Sequence, residues 1–378
     1  MIKIEKTALY IHIPFCKQKC LYCDFASFAG AEKYMKEYTE ALCKEIEAYK
    51  DIEIETVFIG GGTPTYLSIE ALELLKNTMK KLKYSKTLEF TVEGNPGTFT
   101  EEKLKIFKEM GMNRLSIGLQ SFDDNLLKSI GRIHSAEDFK ESYYMARKMG
   151  VENINMDLMF GLPNQSLEKW IETLREAMTL NPDHISCYSL IIEENTAFYN
   201  LYEKNLLKLP NEDTERDMYS LTKNILRENG YEQYEISNYC KKGKECRHNL
   251  VYWNLENYIG CGVAAHSYYN GERFNNCENI KEYIKMMNEQ NSPIITKSKN
   301  TLEDDMEEFM FLGLRKIQGI SIKEFNQRFN VDIYDVYKEV IEKYKDLNLL
   351  QDSEGYVKLT TKGIEVSNVV MADFIIDR

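Results

Sequence analysis

The sequence predicts an α/β fold, a partial and open β/α barrel of six units, followed by a mostly helical, winged-helix-like module. Short apolar runs alternate with longer amphipathic stretches from Ala8 to Ile191. Glycine, cysteine and polar residues collect directly after these runs, and the last part of the chain has helical periods around one hairpin pattern. Repeated strand–helix units predict parallel pairing with right-handed crossovers. A doubly wound open sheet has the same periodicity and stays open as an alternative.

Six short apolar runs, rich in β-branched and aromatic residues, are the predicted strands of the core. They are Ala8–Ile13, Thr56–Ile59, Leu88–Val92, Arg114–Leu119, Asn153–Met159 and His184–Ile191. The predicted helices between them are Glu32–Tyr49, Ser68–Leu82, Thr100–Met110, Ala136–Met149 and Ser166–Leu180. A further helix, Glu212–Asn229, leads to an extended stretch, Tyr231–Ile236. In both candidate folds the chemistry belongs at the carboxyl ends of the strands.

The segments that follow the predicted strands contain the residues best suited to chemistry. They are Cys16–Cys23, Gly60–Pro64, Glu93–Pro96 and Gln120–Phe122, and the fifth strand itself carries Asp157 within Met156–Pro163. Because the carboxyl ends of parallel strands meet at one edge of a sheet, we expect these side chains to lie together. The sequence therefore predicts the functional site at this edge.

The residue pattern changes after Ile236, so we predict a core domain over residues 1–236 and a C-terminal domain over residues 237–378. Residues 237–300 form a glycine- and aromatic-rich connector, expected over the barrel mouth, with little helical period from Tyr239 to Asn279. Residues 301–378 form the winged-helix-like module, with 10 Lys and Arg against 16 Asp and Glu. An acidic module binds phosphates poorly, which favours a packing or partner surface. No low-complexity linker separates the parts, so we expect them to dock tightly.

The composition restricts the partners and the compartment. A net charge of −12 over 378 residues disfavours nucleic acid or an anionic membrane as the main partner. The first residues lack the long apolar segment of a signal peptide, and no apolar run is long enough to span a membrane. The cysteines outside the first loop are scattered, without the rhythm of a disulfide framework. This pattern favours a reducing cytoplasm.

Three cysteines directly after the first predicted strand, Cys16, Cys20 and Cys23, have C-x3-C-x2-C spacing. Thiolates are soft ligands that suit iron–sulfur clusters and zinc. A cubane cluster normally takes four cysteines, so three thiols leave one iron open to a small molecule. Structural zinc requires four closed ligands, and no second C-x2-C pair occurs in the chain. The spacing therefore favours a 4Fe–4S cluster over zinc.

Two glycine-rich stretches could bring backbone amides close to a ligand. Gly60–Pro64 follows a predicted strand and adds the hydroxyl of Thr63, although a tight turn would explain the same residues. Gly260–Ala265 matches the G-x-G-x-x-A pattern of dinucleotide sites but lacks their β-α-β context. We interpret it as a close-approach loop over the barrel mouth that presents His266 toward the cavity.

Several polar residues accompany these loops. Tyr10 and His12 share a face of the first strand, where a core aromatic pair would explain both, and we keep His12 in the core. Four further polar residues stand at strand ends or just beyond them: Glu93, Gln120, Arg132 and Asp157. Each alone would be expected as a cap or a surface pair. Together they offer acceptors for cations and hydroxyls and a guanidinium for a carboxylate.

The last candidate motif runs from Cys246 to Trp253 and contains His248. A lone histidine among aromatic residues is usually a structural hydrogen-bonding group. The functional alternative is an axial ligand of heme iron, for which both His and Cys qualify. The adjacent Tyr252 and Trp253 could stack on a flat macrocycle. The chemistry of these residues alone favours the structural role.

The cysteine loop resembles the signature of the radical S-adenosylmethionine (SAM) superfamily, and the whole chain resembles its oxygen-independent coproporphyrinogen III dehydrogenase group. The motifs match in order and spacing over the first two thirds of the chain. The resemblance implies a 4Fe–4S cluster on the three cysteines, with SAM on the open iron. It also implies a SAM pocket lined by Tyr10, Tyr22, Gly61, Gly62, Thr63, Glu93, Gln120, Arg132 and Asp157.

Three features separate the two branches of this group, the dehydrogenase and the HemW-type heme chaperone. The dehydrogenase has an extra cysteine two residues after the third ligand, and this chain has Phe25 at that position. The dehydrogenase also has an N-terminal extension, whereas only nine residues precede Tyr10 in this sequence. The segment from His248 to Trp253 matches the H-N-x-x-Y-W stretch typical of the chaperone branch. These features favour the chaperone. The alternative is an enzyme that oxidatively decarboxylates coproporphyrinogen III in heme biosynthesis.

For the chaperone branch, the resemblance implies that the protein holds heme and passes it to respiratory acceptor proteins. Where an acceptor lies in a membrane, this transfer would take place at the membrane surface. His248 would contact the heme, with Cys246 and His266 as further candidates. The resemblance also implies a homodimer and, if SAM is cleaved, a reductant such as flavodoxin. No nucleic-acid partner is expected.

Overall fold

The computed structural model describes residues 7–376. Its strands are β1 (Thr7–Ile13), β2 (Phe15–Cys16), β3 (Phe28–Ala29), β4 (Glu53–Gly61), β5 (Lys83–Gly94), β6 (Arg114–Gln120), β7 (Asn153–Phe160), β8 (His184–Ser189), β9 (Glu232–Glu235), β10 (Asn238–Cys240), β11 (Tyr258–Cys261), β12 (His266–Tyr269), β13 (Glu272–Asn276), β14 (Ile294–Lys299), β15 (Ile320–Ser321), β16 (Leu350–Ser353) and β17 (Tyr356–Leu359).

The helices alternate with the core strands and then dominate the C-terminal part. They are α1 (Met35–Glu47), α2 (Ile69–Met79), α3 (Glu101–Met110), α4 (Asp124–Ser129), α5 (Ala136–Lys148), α6 (Leu167–Leu180), α7 (Ala197–Tyr202), α8 (Glu212–Glu228), α9 (Arg247–Trp253), α10 (Ile280–Asn288), α11 (Leu302–Gly313), α12 (Ile322–Phe329), α13 (Ile333–Asp346), α14 (Thr361–Glu365) and α15 (Ser367–Ala372). Two single-turn 3-10 helices are Glu32–Tyr34 and Pro64–Tyr66. The predicted lack of a signal peptide rests on residues 1–6, outside the described part.

The core sheet confirms the predicted open β/α barrel. Strands β1, β4, β5, β6, β7 and β8 are parallel and lie side by side in chain order. A doubly wound sheet would reverse the order of the strands at one point within these six units, which the strands from β1 to β8 do not do. Within residues 7–376 the sheet ends at β14 on one side and β9 on the other, so the barrel is open.

The helices begin where the sequence provides an N-cap. The hydroxyls of Ser68, Thr100, Ser135 and Ser166 accept a backbone N–H from the first turns of α2, α3, α5 and α6. Such caps satisfy amide donors that have no partner inside the helix. The apolar faces of the helices pack on the buried strands, where side chains such as Leu75 and Phe107 are fully buried. The strands and their caps thus hold the loops at the carboxyl edge in place.

The connector differs from its prediction. Strand β11 pairs in parallel with β1, Tyr258 opposite Ala8, and β12, β13 and β14 extend the sheet beyond it. Residues 247–253 are helical, so the prediction of little helical period was wrong there. Helix α10 follows directly after the stretch to which that prediction applied. Because β11 is parallel to β1, the loop after β11 lies beside the end of β1 at the carboxyl edge of the sheet. The division of the chain between residues 236 and 237 stays a prediction.

The C-terminal module combines helices α11 to α15 with a small antiparallel sheet in the order β15-β17-β16. The hairpin between β16 and β17 turns at Glu354 and Gly355, both with positive φ. The apolar core of the module also includes Leu255 and Tyr268 of the connector, and ion pairs and backbone contacts join the two parts. Arg273 pairs with Glu308, with Nε 2.6 Å from Oε1, and the guanidinium of Arg328 donates to the backbone of Leu255. No helix in residues 7–376 is long and apolar enough to cross a membrane.

Candidate cofactor site at the carboxyl edge of the sheet

A cavity of about 520 Å³ opens at the carboxyl edge of the core strands. Most of the residues that the sequence predicts for the site line this cavity, and they come from β2, β4, β5, β6, β7 and the loops that follow the strands. They are Cys16, Cys20, Tyr22, Cys23, Gly61, Gly62, Glu93, Gln120, Arg132 and Asp157. Thr63 lines a smaller adjoining cavity together with Cys20 and Arg132, and Tyr10 and His266 line a neighbouring cavity. The fold therefore brings together side chains that are far apart in the sequence.

The three thiols of the cysteine loop occupy separate positions along this cavity. The Cys16 Sγ atom lies 3.5 Å from the Thr63 hydroxyl oxygen, and the Cys20 Sγ atom lies 3.5 Å from Nη1 of Arg132. In residues 7–376 no three His, Cys, Asp or Glu side chains converge closely enough to hold a single metal ion. Zinc needs all its thiolates at about 2.3 Å from one point, whereas a cubane cluster binds each thiolate through a different iron. The three thiols therefore fit a cluster better than zinc.

The glycines of Gly60–Pro64 allow the end of β4 to pack against the cysteine loop. Gly61 has a φ of 104°, and a Cβ atom there would lie 2.4 Å from the His12 ring. A Cβ atom at Gly62 would lie 2.8 Å from the carbonyl oxygens of Ile13 and Phe15. The amide of Gly62 donates to the carbonyl of Ile13 at 2.8 Å. In this structure the turn therefore holds the cysteine loop, rather than offering that amide to a ligand.

Two side chains that line the cavity carry buried polar atoms without a partner. The Oε1 atom of Gln120 and the Nε atom of Arg132 make no hydrogen bond within the described residues. Gln120 also has a φ of 77°, in the left-handed region that non-glycine residues rarely adopt. Each unpaired buried group costs about 1–3 kcal/mol. A ligand with a donor for Gln120 and an acceptor for Arg132 would remove this cost, and SAM has both.

Two carboxyl groups face this cavity. Burial raises the pKa of the Glu93 carboxyl to about 8, and the nearby Asp157 carboxylate adds to the increase. Glu93 accepts the amide of Gly61 at 3.2 Å. Burial also raises the pKa of Asp157, although the Asn155 amide, which donates to Oδ1 at 2.7 Å, favours the ionised form. A cationic ligand would ionise Glu93, so the pair fits an ammonium group.

Several cavity residues were missed because they lie within strands rather than at their ends. They are Arg114, Ser116 and Gly118 on β6, Asn155 on β7, and Ser186 and Tyr188 on β8. Their signal is an alternation of period two, which places every second residue of a strand on the same face. Reading β6 in this way would have identified Arg114 as a buried cation on the barrel interior.

Comparisons with known proteins agree with this geometry. Residues 10–177 match the model of the radical SAM superfamily, and residues 300–366 match that of the HemN C-terminal domain. The chain is 42% identical to heme chaperone HemW of Bacillus subtilis (strain 168), over 97% of this chain and 98% of that protein. It is 37% identical to heme chaperone HemW of Lactococcus lactis, over 99% and 98%. The chain belongs to the HemW heme chaperone family.

The fold of this HemW family member also matches a solved structure. Coproporphyrinogen III oxidase (HemN) from Escherichia coli, a radical SAM enzyme, has a TM-score of 0.85 and 22% identity, over 98% of this chain and 90% of that one. This likeness confirms the fold. Membership of the radical SAM superfamily implies that this chain binds a 4Fe–4S cluster and SAM. The residues around the first cavity fit both.

The candidate heme residues of this HemW family member have different surroundings. His248 is buried, its Nδ1 atom lies 2.8 Å from Oγ1 of Thr56, and its Nε2 atom lies 2.9 Å from the Tyr252 hydroxyl. Cys246 is also buried, and burial raises the pKa of its thiol to about 12. Heme contact by His248 stays a prediction, and it would require one of these two hydrogen bonds to break.

A second cavity of about 470 Å³ lies beside the first. It is lined by aromatic side chains, by small residues of the loop after β11, and by an exposed His266: Tyr10, His12, Phe25, Ala26, Gly61, Glu93, Tyr252, Trp253, Tyr258, Ala264, Ala265 and His266. Three of these residues, Phe25, Gly61 and Glu93, also line the first cavity. The two cavities therefore share a wall.

Proposed function

We propose that this chain is a heme chaperone that binds heme and delivers it to acceptor proteins. The observation that supports this most directly is the identity of 42% over nearly the whole chain to a protein named for that function. The likeness to coproporphyrinogen III oxidase, at 22% identity, is evidence about the fold only. Respiratory proteins as the acceptors, a location in the cytoplasm and a homodimer are finer parts of the same proposal.

The first cavity would hold the 4Fe–4S cluster and SAM. Cys16, Cys20 and Cys23 would ligate the cluster, and the Arg132 guanidinium, 3.5 Å from the Cys20 Sγ atom, would offset the negative charge of that thiolate. Glu93 and Asp157 would accept hydrogen bonds from the ammonium and hydroxyl groups of SAM. When bound, the cluster can supply an electron to SAM if a reductant such as flavodoxin is present.

Phe25 distinguishes this site from that expected of the dehydrogenase. The sequence resemblance places an extra cysteine of the dehydrogenase at this position. Here the side chain is 60% exposed and lines both cavities. An apolar ring at the entrance can contact a porphyrin but offers neither a thiol nor a proton-transfer group. This supports binding of heme over conversion of a porphyrinogen.

The second candidate function is oxidative decarboxylation of coproporphyrinogen III. It is favoured by the SAM-site residues around the first cavity, which the sequence resemblance assigns to both branches of the group. The candidates differ in turnover. A chaperone should bind heme stoichiometrically and leave coproporphyrinogen III unchanged, whereas the enzyme should convert many equivalents.

The deciding experiment uses anaerobically reconstituted protein with its cluster. One sample receives SAM, a reductant and coproporphyrinogen III, and the other receives heme followed by an apo-protein acceptor of heme. Cys20→Ala should lose the iron–sulfur absorption, whereas Cys43→Ala, a cysteine of α1 that does not line either cavity, should keep it. Heme binding and transfer without porphyrin turnover would support the proposal. Multiple turnovers of coproporphyrinogen III would overturn it.

A further inference from the structure

We infer that the heme of this protein lies in the second cavity, with His266 as an axial ligand of the iron and His248 as a positioning residue for the cavity wall. The inference rests on the proposed function, because it assumes that the chain binds heme. It replaces the sequence-based expectation that His248 is the ligand.

His266 differs from the other four histidines in the hydrogen bonds that its ring nitrogens make. His12 and His248 use both ring nitrogens in hydrogen bonds, and His184 contacts Asn155 and Tyr234 in the same way. His134 is buried, and its Nε2 atom lies 3.1 Å from the carbonyl of Leu119. His266 is exposed, and its ring makes no hydrogen bond within residues 7–376. It can therefore approach iron at no cost in existing hydrogen bonds.

The backbone near His266 holds it at the edge of this cavity. Gly262 and Ala264 have φ values of 106° and 56°, so the chain turns sharply after β11 and returns as β12, which begins at His266. The amide of Gly260 donates to the Ser267 hydroxyl at 2.9 Å. A ligand on a strand behind such a turn has little backbone freedom to lose when it binds.

The walls of the cavity suit a flat, largely apolar macrocycle. Tyr252 and Tyr258 meet edge to face, with ring centroids 4.7 Å apart, and the Arg315 guanidinium lies 4.5 Å from the Trp253 ring centroid, which fixes that indole. Aromatic faces bind large planar ligands by stacking and by burial of apolar surface. At about 470 Å³ the open cavity is in the usual size range for small-molecule sites.

His248 acts on this cavity through Tyr252. Its ring links the Thr56 hydroxyl on β4 to the Tyr252 hydroxyl on α9, at 2.8 and 2.9 Å. The imidazole itself lines neither cavity, whereas the Tyr252 ring lines the second one. Loss of His248 should therefore weaken heme binding by releasing Tyr252, without changing the atom that binds the iron.

The test is a titration of the cluster-loaded protein with ferric heme, followed by absorption and electron paramagnetic resonance. His266→Ala should weaken the affinity by about tenfold or more and remove the signature of a nitrogen ligand, and added imidazole should restore that signature. His248→Ala and Tyr252→Phe should weaken binding less and keep the nitrogen signature, without rescue by imidazole. Tyr252→Phe covers the case in which His248→Ala does not fold.

The outcomes separate this inference from the proposed function. If the unmodified protein binds heme and His266→Ala binds it with the same affinity and spectrum, the ligand assignment is wrong while the chaperone proposal stands. The assignment is also wrong if imidazole restores the nitrogen signature in His248→Ala. If the unmodified protein binds no heme at all, the proposed function fails first.

Discussion

The Nε2 atom of His248 lies 2.9 Å from the hydroxyl oxygen of Tyr252, one turn further along α9. Side chains four residues apart on a helix share a face, so the first and fifth positions of the H-N-x-x-Y-W stretch can bond in this way. The Asn249 side chain instead faces the first cavity, and Trp253 faces the second. This short helix thus serves both cavities.

Tyr252→Phe should lower the free energy of unfolding, because it leaves the Nε2 atom of a buried imidazole without a partner. An unsatisfied buried group costs about 1–3 kcal/mol. Tyr84→Phe is the control, since the Tyr84 hydroxyl donates to the Met79 carbonyl at 2.8 Å on a partly buried side chain outside both cavities. Urea unfolding of both variants measures the difference. An unchanged midpoint for Tyr252→Phe would contradict the structural role of the bond.

Arg132→Lys should weaken SAM binding by about tenfold or more while the cluster is retained. A lysine keeps the charge but cannot form the fork that reaches the Cys20 Sγ atom and, at 2.5 Å, the Gly118 carbonyl oxygen. Calorimetry with SAM on reconstituted protein measures the effect. Arg147→Lys removes a guanidinium that bonds Asp183 and Tyr143 outside both cavities, so it should leave SAM affinity unchanged. Equal SAM affinity in Arg132→Lys would exclude the guanidinium as a ligand contact.

The core strands and helices could be predicted from the sequence because their signals are local. Apolar runs locate the strands, and Ser68, Thr100 and Ser166, which begin predicted helices, are the N-caps of α2, α3 and α6. The rule that chemistry lies at the carboxyl edge then brought residues from distant loops to one cavity, including Glu93 and Arg132. This rule depends on topology alone, so it required no knowledge of contacts.

Other features depend on contacts between distant segments, which no local pattern encodes. The pairing of Ala8 on β1 with Tyr258 on β11 joins the first strand of the core to a segment far along the chain, and it makes the predicted connector part of the sheet. The second cavity lies where β1 and β11 meet. The sequence could therefore identify His266 as a candidate, but it could not predict the residues that surround it. The bond from His248 to Thr56 likewise crosses from α9 to β4. A free and a bonded histidine look the same in a sequence.

Gly260→Ala should weaken heme binding and leave SAM binding unchanged. A Cβ atom at Gly260 would lie 2.2 Å from the carbonyl oxygen of His266, so the backbone that carries the ligand must move. Gly271→Ala is the control, because its φ of 73° adds strain while a Cβ atom there meets nothing within 4 Å. Heme titration and SAM calorimetry on both variants separate displacement of His266 from general backbone strain. A loss of SAM affinity equal to the loss of heme affinity would show that the whole edge had moved.

Glu93→Gln should change how both stability and SAM binding depend on pH. Burial raises the pKa of Glu93 from 4.5 to about 8, so between these values the folded protein holds a proton that the unfolded chain has released. Stability contributed by this group is therefore present below about pH 4.5 and is lost as the pH rises toward 8. Glutamine does not titrate, so the cluster-free variant should gain stability relative to the unmodified protein as the pH rises.

SAM binding should follow the opposite trend, because the ammonium group of SAM favours the ionised carboxylate. Affinity of the unmodified protein should increase from about pH 6 to about pH 8, and Glu93→Gln should bind more weakly without this increase. Urea unfolding and SAM calorimetry across this range measure both effects. Glu109→Gln, which loses an ion pair to Lys76 on the surface, is the matched control and should keep the pH dependence. The difference between Glu93→Gln and the unmodified protein isolates Glu93 from other buried acids such as Glu45. If SAM affinity depends on pH in the same way in both proteins, another group governs SAM binding.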